Sequence, residues 1–191
     1  FRDRHPEIGV TVVEGVPSRL TELLLEGKLD VALMAQPRPF DERLVAEPIY
    51  RERFGLAFAS SHPYANRNVL QLGDVEGEPY LSRINCEYRG FISELCTQRG
   101  IEISVAYRSE REDWIMAMVA AGMGICFAPE FSVTLPGVAH RPIGDPEIVR
   151  EVSLVSVAGR TPSPAIAGFA EMVRNYDWGA PAGRLDPPAS R

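Results

Sequence analysis

Two cysteines in the middle of the chain are the residues best suited to chemistry. Cys86 lies just before a predicted helix that begins near Tyr88, and Arg83 and Arg89 lie close to it in the sequence. A helix N-terminus and neighbouring cations both favour the thiolate, which is the reactive form of cysteine. The sequence therefore predicts a lowered pKa for the Cys86 thiol, and Cys96 follows ten positions later.

The spacing of these two cysteines opposes a resting disulfide. If most of the intervening residues are helical, the two Cα atoms are about 15 Å apart, whereas a disulfide needs them within about 7 Å. A link between Cys86 and Cys96 therefore requires the helix to unwind. Two other interpretations stay open: Cys96 as a buried small hydrophobe, and Cys86 as an enzymatic nucleophile with His62 or His140 as its spatial partner.

Loops that lead into predicted helices offer a second kind of chemistry, the binding of anions. The free N–H groups and positive dipole end of a helix N-terminus suit a carboxylate, and ligand clefts form outside the C-terminal ends of parallel strands. Ser18 and Ser109 also fit the role of helix caps, and Gln36 that of a plain loop residue. The candidate ligand-binding residues are Val16, Pro17, Ser18, Ala35, Gln36, Asn85, Cys86, Ser109 and Glu110.

The opening quarter of the chain predicts the elements that position the first of these loops. Residues 10–13 are a β-branched run typical of a buried strand. Ser18 is a candidate N-cap for a helix whose leucines recur at i, i+3 and i+4 over 20–24, and Gly27 fits its C-terminus. Residues 31–34 form a second apolar strand. Strand, helix and strand at this spacing predict a βαβ unit with parallel strands and a right-handed crossover.

The remaining patterns continue the alternation of strands and helices. A Ser109-x-x-Glu112 capping box predicts the start of one helix, and Ser163 followed by Pro164 predicts the start of the last one. The other predicted elements are strands over 53–60, 80–81, 103–107, 125–128 and 150–157 and a helix over 88–98.

Composition excludes several classes of protein. The 191 residues carry a net charge of −6, with 26 acidic against 20 basic residues, which opposes direct binding to a nucleic-acid backbone. No run approaches the roughly 18 apolar residues of a membrane span. Three cysteines do not make a secreted disulfide framework and favour a reducing cytoplasm. The three histidines lack metal-ligand spacing, so we expect no metal and no cofactor.

Four segments resemble one family, the effector-binding domain of LysR-type transcriptional regulators. They read RHPEIGVTVVEG…LLEGKLDVAL, SSHPYA, MVAAGMGICFAPE and SPAIAGFAEMVRNY, and the likeness extends over residues 1–178. The resemblance implies an α/β, two-lobed periplasmic-binding-protein-like (type 2) fold. Each lobe would be a mainly parallel sheet flanked by helices, and two strands near 54–59 and 152–157 would cross between the lobes.

The resemblance also assigns the parts of the chain. Lobe one would comprise 1–54 plus 155–178, without its usual first strand, and lobe two would comprise 55–154. Residues 179–191, rich in Pro, Gly and Ala, are expected to form a disordered tail. The winged helix-turn-helix of the family is absent from this chain.

The function implied by the resemblance is effector sensing rather than catalysis. A small molecule in the interlobe cleft, such as a carboxylate or an aromatic acid, would alter the arrangement of a homodimer or homotetramer and thereby transcription. DNA would be bound only through the absent N-terminal domain, and no membrane would be involved.

Two alternatives stay open beside this reading. Local similarity to the peroxide-sensing OxyR-type subgroup, extending over HPYANR at 62–67, implies a redox switch between Cys86 and Cys96. The two cysteines are ten positions apart here and nine apart in that subgroup, and Asn85 replaces the histidine that precedes the reactive cysteine. The other alternative is a solute-binding protein of a transporter, which shares the fold and would carry a secretory leader.

Overall fold

The computed structural model describes residues 1–178, and it divides into two compact units. Within the described residues, one unit comprises Phe1–Arg51 with 151–178, and the other comprises Glu52–Arg150. The expected disordered tail, 179–191, lies outside the described residues. The assignment of lobe one to 1–54 with 155–178 and of lobe two to 55–154 stays a prediction.

Helices and strands alternate along most of the chain. Short 3₁₀ turns at Pro63–Asn66, Leu72–Val75 and Glu130–Ser132 complete the connections. The elements in chain order are α1 (Pro17–Leu25), β1 (Ala32–Met34), β2 (Leu44–Ala59), β3 (Tyr80–Arg83), α2 (Arg89–Gln98), β4 (Val105–Ser109), α3 (Glu112–Ala120), β5 (Cys126–Pro129), β6 (Val138–Pro142), β7 (Ile148–Val157) and α4 (Pro164–Asn175).

Helix α1 buries the predicted leucine stripe but starts differently from expectation. Pro17 occupies the first helical position and Val16 precedes it without a side-chain cap, so the prediction of Ser18 as N-cap is wrong. Proline fits this position because it lacks the N–H that would stay unpaired there. At the other end, Gly27 has a φ of 73°, and the Lys28 N–H donates to the Leu23 carbonyl at 2.9 Å. This is the left-handed C-terminal motif that glycine permits.

The predicted strand over residues 10–13 does not form. This segment carries no strand assignment, and Val12 is 83% exposed. A β-branched run becomes a strand only when a neighbouring strand supplies hydrogen bonds, and the pairing found for β1 is with β7, in antiparallel register. The predicted βαβ unit with parallel strands is therefore wrong for this part of the chain.

The first unit packs its helices on β1, β7 and the start of β2. One apolar cluster joins α1 to these strands, and a second joins β7 to α4. The N-cap predicted for α4 is confirmed, because the Ser163 hydroxyl accepts from the Ile166 N–H at 3.3 Å. The buried members of the clusters are Leu20, Leu24, Ala32, Met34, Leu44, Val155, Leu154, Ala170 and Val173.

The second unit mixes both strand directions, which corrects the expectation of mainly parallel sheets. Strand β2 pairs with β5 and with β6 in antiparallel register. Strands β3 and β4 are parallel to each other, and a parallel bridge joins Tyr80 to Ile125 beside β5. Parallel pairing matters for function because the C-terminal ends of β3 and β4 meet at one edge.

Candidate functional site

Arg83, at the end of β3, organises a buried polar cluster in the second unit. Its side chain is only 11% exposed. The guanidinium Nε donates to Glu112 Oε2 at 2.6 Å, and Nη1 donates to the Phe127 carbonyl at 3.1 Å. Cys86 and Cys126 both interact electrostatically with Arg83. We call these five residues, Arg83, Cys86, Glu112, Cys126 and Phe127, the arginine–cysteine cluster.

The Cys86 thiol is shifted away from reactivity, so the predicted lowering of its pKa is wrong. Burial is the largest cause and raises the pKa of Cys86, and the carboxylates of Glu87 and Glu112 add to the increase. Arg83 and a hydrogen bond from the Tyr88 backbone act in the opposite direction without overcoming burial. Burial outweighs the effect of Arg83 because the free energy needed to remove a thiolate from water exceeds the free energy of its attraction to the guanidinium.

The other two cysteines are also buried and free. Burial raises the pKa of Cys96, on α2, and raises that of Cys126, on β5, to about 12. None of the three cysteines is in a disulfide. The redox role of Cys86 and Cys96 stays a prediction.

Four of the predicted effector contacts lie at the common edge where β3 and β4 end. The Asn85 amide donates to the Glu110 carbonyl at 3.5 Å, which links the two loops. Cys86 lies in the same loop as Asn85, in a turn closed by its N–H and the Arg83 carbonyl at 3.2 Å. Arg83 and Ser109 are register partners in the parallel pair. The structure thus brings together Asn85, Cys86, Ser109 and Glu110.

The predicted capping box at Ser109 is wrong. Helix α3 begins at Glu112, with Arg111 as an N-cap that has no side-chain hydrogen bond to the helix. The Ser109 hydroxyl accepts from the Arg111 N–H at 3.0 Å instead. Glu112 is not free to complete a box because its carboxylate pairs with Arg83. The first-turn N–H groups of α3 therefore have no side-chain cap from Arg111.

The other predicted contacts lie in the first unit. Val16, Pro17 and Ser18 form the start of α1, where no side chain caps the helix. Ala35 is 2% exposed, so it can offer a ligand little beyond its backbone. The Gln36 amide nitrogen donates to the carbonyls of two residues in its own loop, at 3.0 Å and 2.8 Å. That geometry fits the loop role left open for Gln36.

Sequence reasoning missed a buried ion cluster in the second unit. The Glu52 side chain is 1% exposed, and its carboxylate accepts from Arg150 Nη1 at 3.2 Å and from the Phe131 N–H at 2.8 Å. Arg150 Nε lies 2.9 Å from Glu87 Oε1, close enough for an ion pair although the angle does not make a hydrogen bond. Burial raises the pKa of Glu52.

The sequence carries one signal of this cluster, an Arg-Glu dipeptide in each of two strands. Strand β2 contains Arg51-Glu52 and strand β7 contains Arg150-Glu151. In the first unit Arg51 Nε donates to Glu151 Oε2 at 2.6 Å, and in the second unit Glu52 pairs with Arg150. Strands β2 and β7 are neighbours in the sheet, so their two Arg-Glu dipeptides can pair in this crosswise manner.

The described residues offer little support for metal or membrane chemistry. Within residues 1–178, no group of three or more His, Cys, Asp or Glu side chains could hold a metal ion. Among the helices of that same range, none is long and apolar enough to cross a membrane.

The fold and the loops define a class before any comparison: an α/β binding domain of two units, with polar loops at the ends of parallel strands. The comparison with protein families then gives the assignment. Residues 1–178 match the model of the LysR substrate binding domain, so the chain belongs to that family. The resemblance stated from the sequence is confirmed.

Known proteins support the same conclusion. The hydrogen peroxide-inducible genes activator of Pectobacterium carotovorum subsp. carotovorum is 28% identical over 180 residues, 90% of this chain and 58% of that protein. The chain therefore spans less than two thirds of that relative.

Two solved structures share the fold. The effector-binding domain of QuiR in complex with shikimate has a TM-score of 0.75 at 20% identity and covers 90% of this chain and 82% of its own. The regulatory domain of Synechocystis PCC6803 CcmR in complex with 2-PG has a TM-score of 0.83 at 17% identity and covers 95% and 89%. The two-lobed, periplasmic-binding-protein-like fold expected from the sequence is thereby confirmed.

Proposed function

We propose that this domain senses a small effector for a LysR-type transcriptional regulator in the cytoplasm, and that it binds the effector without turning it over. The observation that carries this proposal is the family match over residues 1–178, supported by structural neighbours whose domains hold shikimate or 2-PG. DNA binding belongs to another domain of the whole regulator. The effector acts by binding two arrangements of the regulator with different affinity.

The edge formed by β3 and β4 supplies the part of the effector site that we propose in the second unit. Asn85 offers an amide and Ser109 a hydroxyl, whereas the backbone N–H groups at the start of α3 already donate to the Asp113 carboxylate. Because the pKa of Cys86 is raised, its thiol is protonated at neutral pH and acts as a weak donor. Such neutral donors suit a carboxylate, which accepts several hydrogen bonds.

A thermal-shift screen of carboxylates and aromatic acids, with shikimate among them, tests this proposal. A compound that raises the melting temperature in a saturable manner, and that is recovered unchanged, supports effector binding. Asn85→Ala and Ser109→Ala should weaken that shift. Asn68→Ala, at an exposed position outside the loops, should leave it unchanged. Chemical turnover of the compound would contradict the proposal.

We also propose that the domain forms a homodimer or homotetramer. Two aromatic side chains of the second unit support this: Trp114 on α3 is 60% exposed and Tyr107 on β4 is 47% exposed. Exposed aromatic surface of this kind is typical of interfaces. Light scattering should show a concentration-dependent dimer that Trp114→Glu weakens, whereas a monomer at all concentrations would contradict the proposal.

A thiol-based peroxide sensor is the second candidate, favoured by the relative named as a hydrogen peroxide-inducible genes activator. The raised pKa values of Cys86 and Cys96 oppose it, because the thiolate is the form that peroxide oxidises. Low-dose peroxide followed by non-reducing peptide mapping separates the two functions. A rapid, reversible Cys86–Cys96 link would establish the redox sensor, and unmodified thiols would leave effector binding.

A further inference from the structure

A cavity of about 490 Å³ lies within the second unit, between α2 and the strands β3 and β4. Its residues from β3 are Tyr80 and Ser82, which alternate with Leu81 and Arg83 along the strand. Successive side chains of a strand point to opposite faces. Ser82 and the Arg83 side chain are therefore on opposite faces of β3, whereas the Tyr80 ring packs against Phe127 of the arginine–cysteine cluster and interacts with Cys86 and Cys126.

Two arginines line this cavity without any partner. Arg89 begins α2 and Arg108 lies on β4. In the described part of the chain, neither guanidinium makes a salt bridge or a side-chain hydrogen bond, although most other arginines do. One carboxylate, that of Glu102, also lines the cavity, so the two cations leave an excess of positive charge.

A serine in the wall of the cavity adds a hydroxyl that has no protein partner. Ser82 is 5% exposed, lines the cavity, and makes no side-chain hydrogen bond to the rest of residues 1–178. The Ser82 oxygen is not one of the fully buried side-chain atoms that lack a partner, so it opens into the cavity, where a ligand can accept its hydrogen bond. Ser82 and Arg108 are register partners in the parallel pair, and both line the cavity.

Apolar side chains complete the lining. Ile92 and Cys96 contribute from α2 and are buried, and Ile103 and Val105 contribute from the opposite side. A volume of this size falls within the range of small-molecule sites, about 300–1,000 Å³. We infer that this cavity binds a small organic anion, a carboxylate on a compact apolar body, through Arg89, Arg108 and Ser82.

This site is separate from the proposed effector site at the ends of β3 and β4. Each of the two sites can be tested without the other. The probe that tests it is benzoate, and benzamide is the neutral analogue of the same shape. ¹H–¹⁵N spectra of the 191-residue chain report where each compound binds. Benzoate should shift the amides of residues 89–97 and 105–108 in a saturable manner, and benzamide should bind at least about tenfold more weakly.

Variants assign the contacts. Arg108→Gln should weaken benzoate binding by about tenfold or more, and Ser82→Ala by about threefold to tenfold, as expected for a charged and a neutral hydrogen bond. Arg2→Gln removes an exposed positive charge in the other unit and should leave the affinity unchanged. The dispersion of each variant's spectrum shows whether the variant is folded.

Three results would overturn the inference. The first is no shift with benzoate up to about 20 mM, which is weaker than any useful affinity. The second is equal binding of benzamide, or binding that survives Arg108→Gln in a folded protein. The third is a set of shifts confined to the loops at 85–86 and 109–110, which would place benzoate at the proposed effector site instead.

Discussion

The pKa of Cys86 gives the sharpest test of the site. Its ordinary value is 9.0 and burial raises it, so the thiolate fraction at pH 7 is below about 1%. Iodoacetamide reacts with the thiolate. The alkylation rate of Cys86 at pH 7 should therefore be below about 1% of its rate when fully ionised, and its pH midpoint should lie above 9.0.

Two substitutions should move this midpoint in opposite directions. Glu87 raises the pKa of Cys86, so Glu87→Gln should lower the midpoint. Arg83 lowers the pKa of Cys86, so Arg83→Gln should raise the midpoint. Glu14→Gln removes an exposed carboxylate of the other unit and is the charge-matched control for the first substitution.

Mass mapping of quenched samples gives the rate at each cysteine separately. Cys126 is fully buried, with a pKa of about 12, and its labelling reports unfolding rather than native reactivity. Circular dichroism identifies variants that do not fold. A Cys86 midpoint below 9.0, or the same direction of change in both variants, would refute the electrostatic reasoning.

Four further predictions concern stability. Because the pKa of Glu52 is raised, the stability of the wild type relative to Glu52→Gln should be greatest below pH 4.5, the ordinary pKa of a glutamate. That advantage should be lost as the pH rises through the pKa of Glu52 in the folded protein. A constant difference between the urea midpoints of the two proteins across pH 4–8 would contradict this. Gly55→Ala should abolish cooperative unfolding or cost about 3 kcal/mol or more, because a Cβ would overlap the Arg141 carbonyl; an unchanged melting temperature would refute it. Leu24→Ala should cost about 2–5 kcal/mol in urea unfolding, because Leu24 is fully buried. Ser163→Ala should cost about 1 kcal/mol through the lost cap, with no loss from the same change at an exposed, uncapped serine.

Local signals predicted local structure well. The leucine stripe of α1 and the glycine that ends it depend on interactions within one turn or two, so their residue types suffice. The same holds for Ser163, whose hydroxyl caps the helix that begins with the next residue. The predicted capping box at Ser109 was wrong because Glu112 pairs with Arg83, which is 29 positions away in the sequence. A pairing over that distance cannot be predicted from local residue types.

Features that depend on burial or on partner strands could not be predicted. Residues 10–13 have the composition of a strand, but composition does not supply the neighbour that a strand needs. The flanking arginines of Cys86 indicated a reactive thiol, whereas the degree of burial, which decides the sign, is set by packing. Glu52 and Arg150 are 98 positions apart, and their pairing follows only from how β2 and β7 are aligned.

The polar groups on the two faces of β3 differ in whether they have partners within the protein, and this difference bears on function. On one face Arg83 is neutralised by Glu112 and the Phe127 carbonyl, and the neighbouring thiols are held protonated by burial. On the other face Arg108 and the unpaired Ser82 hydroxyl line an open cavity. A group whose charge is already satisfied maintains structure, whereas an unsatisfied group gains most from a ligand. Ligand recognition by hydrogen bonding and charge therefore fits this unit better than thiol oxidation does.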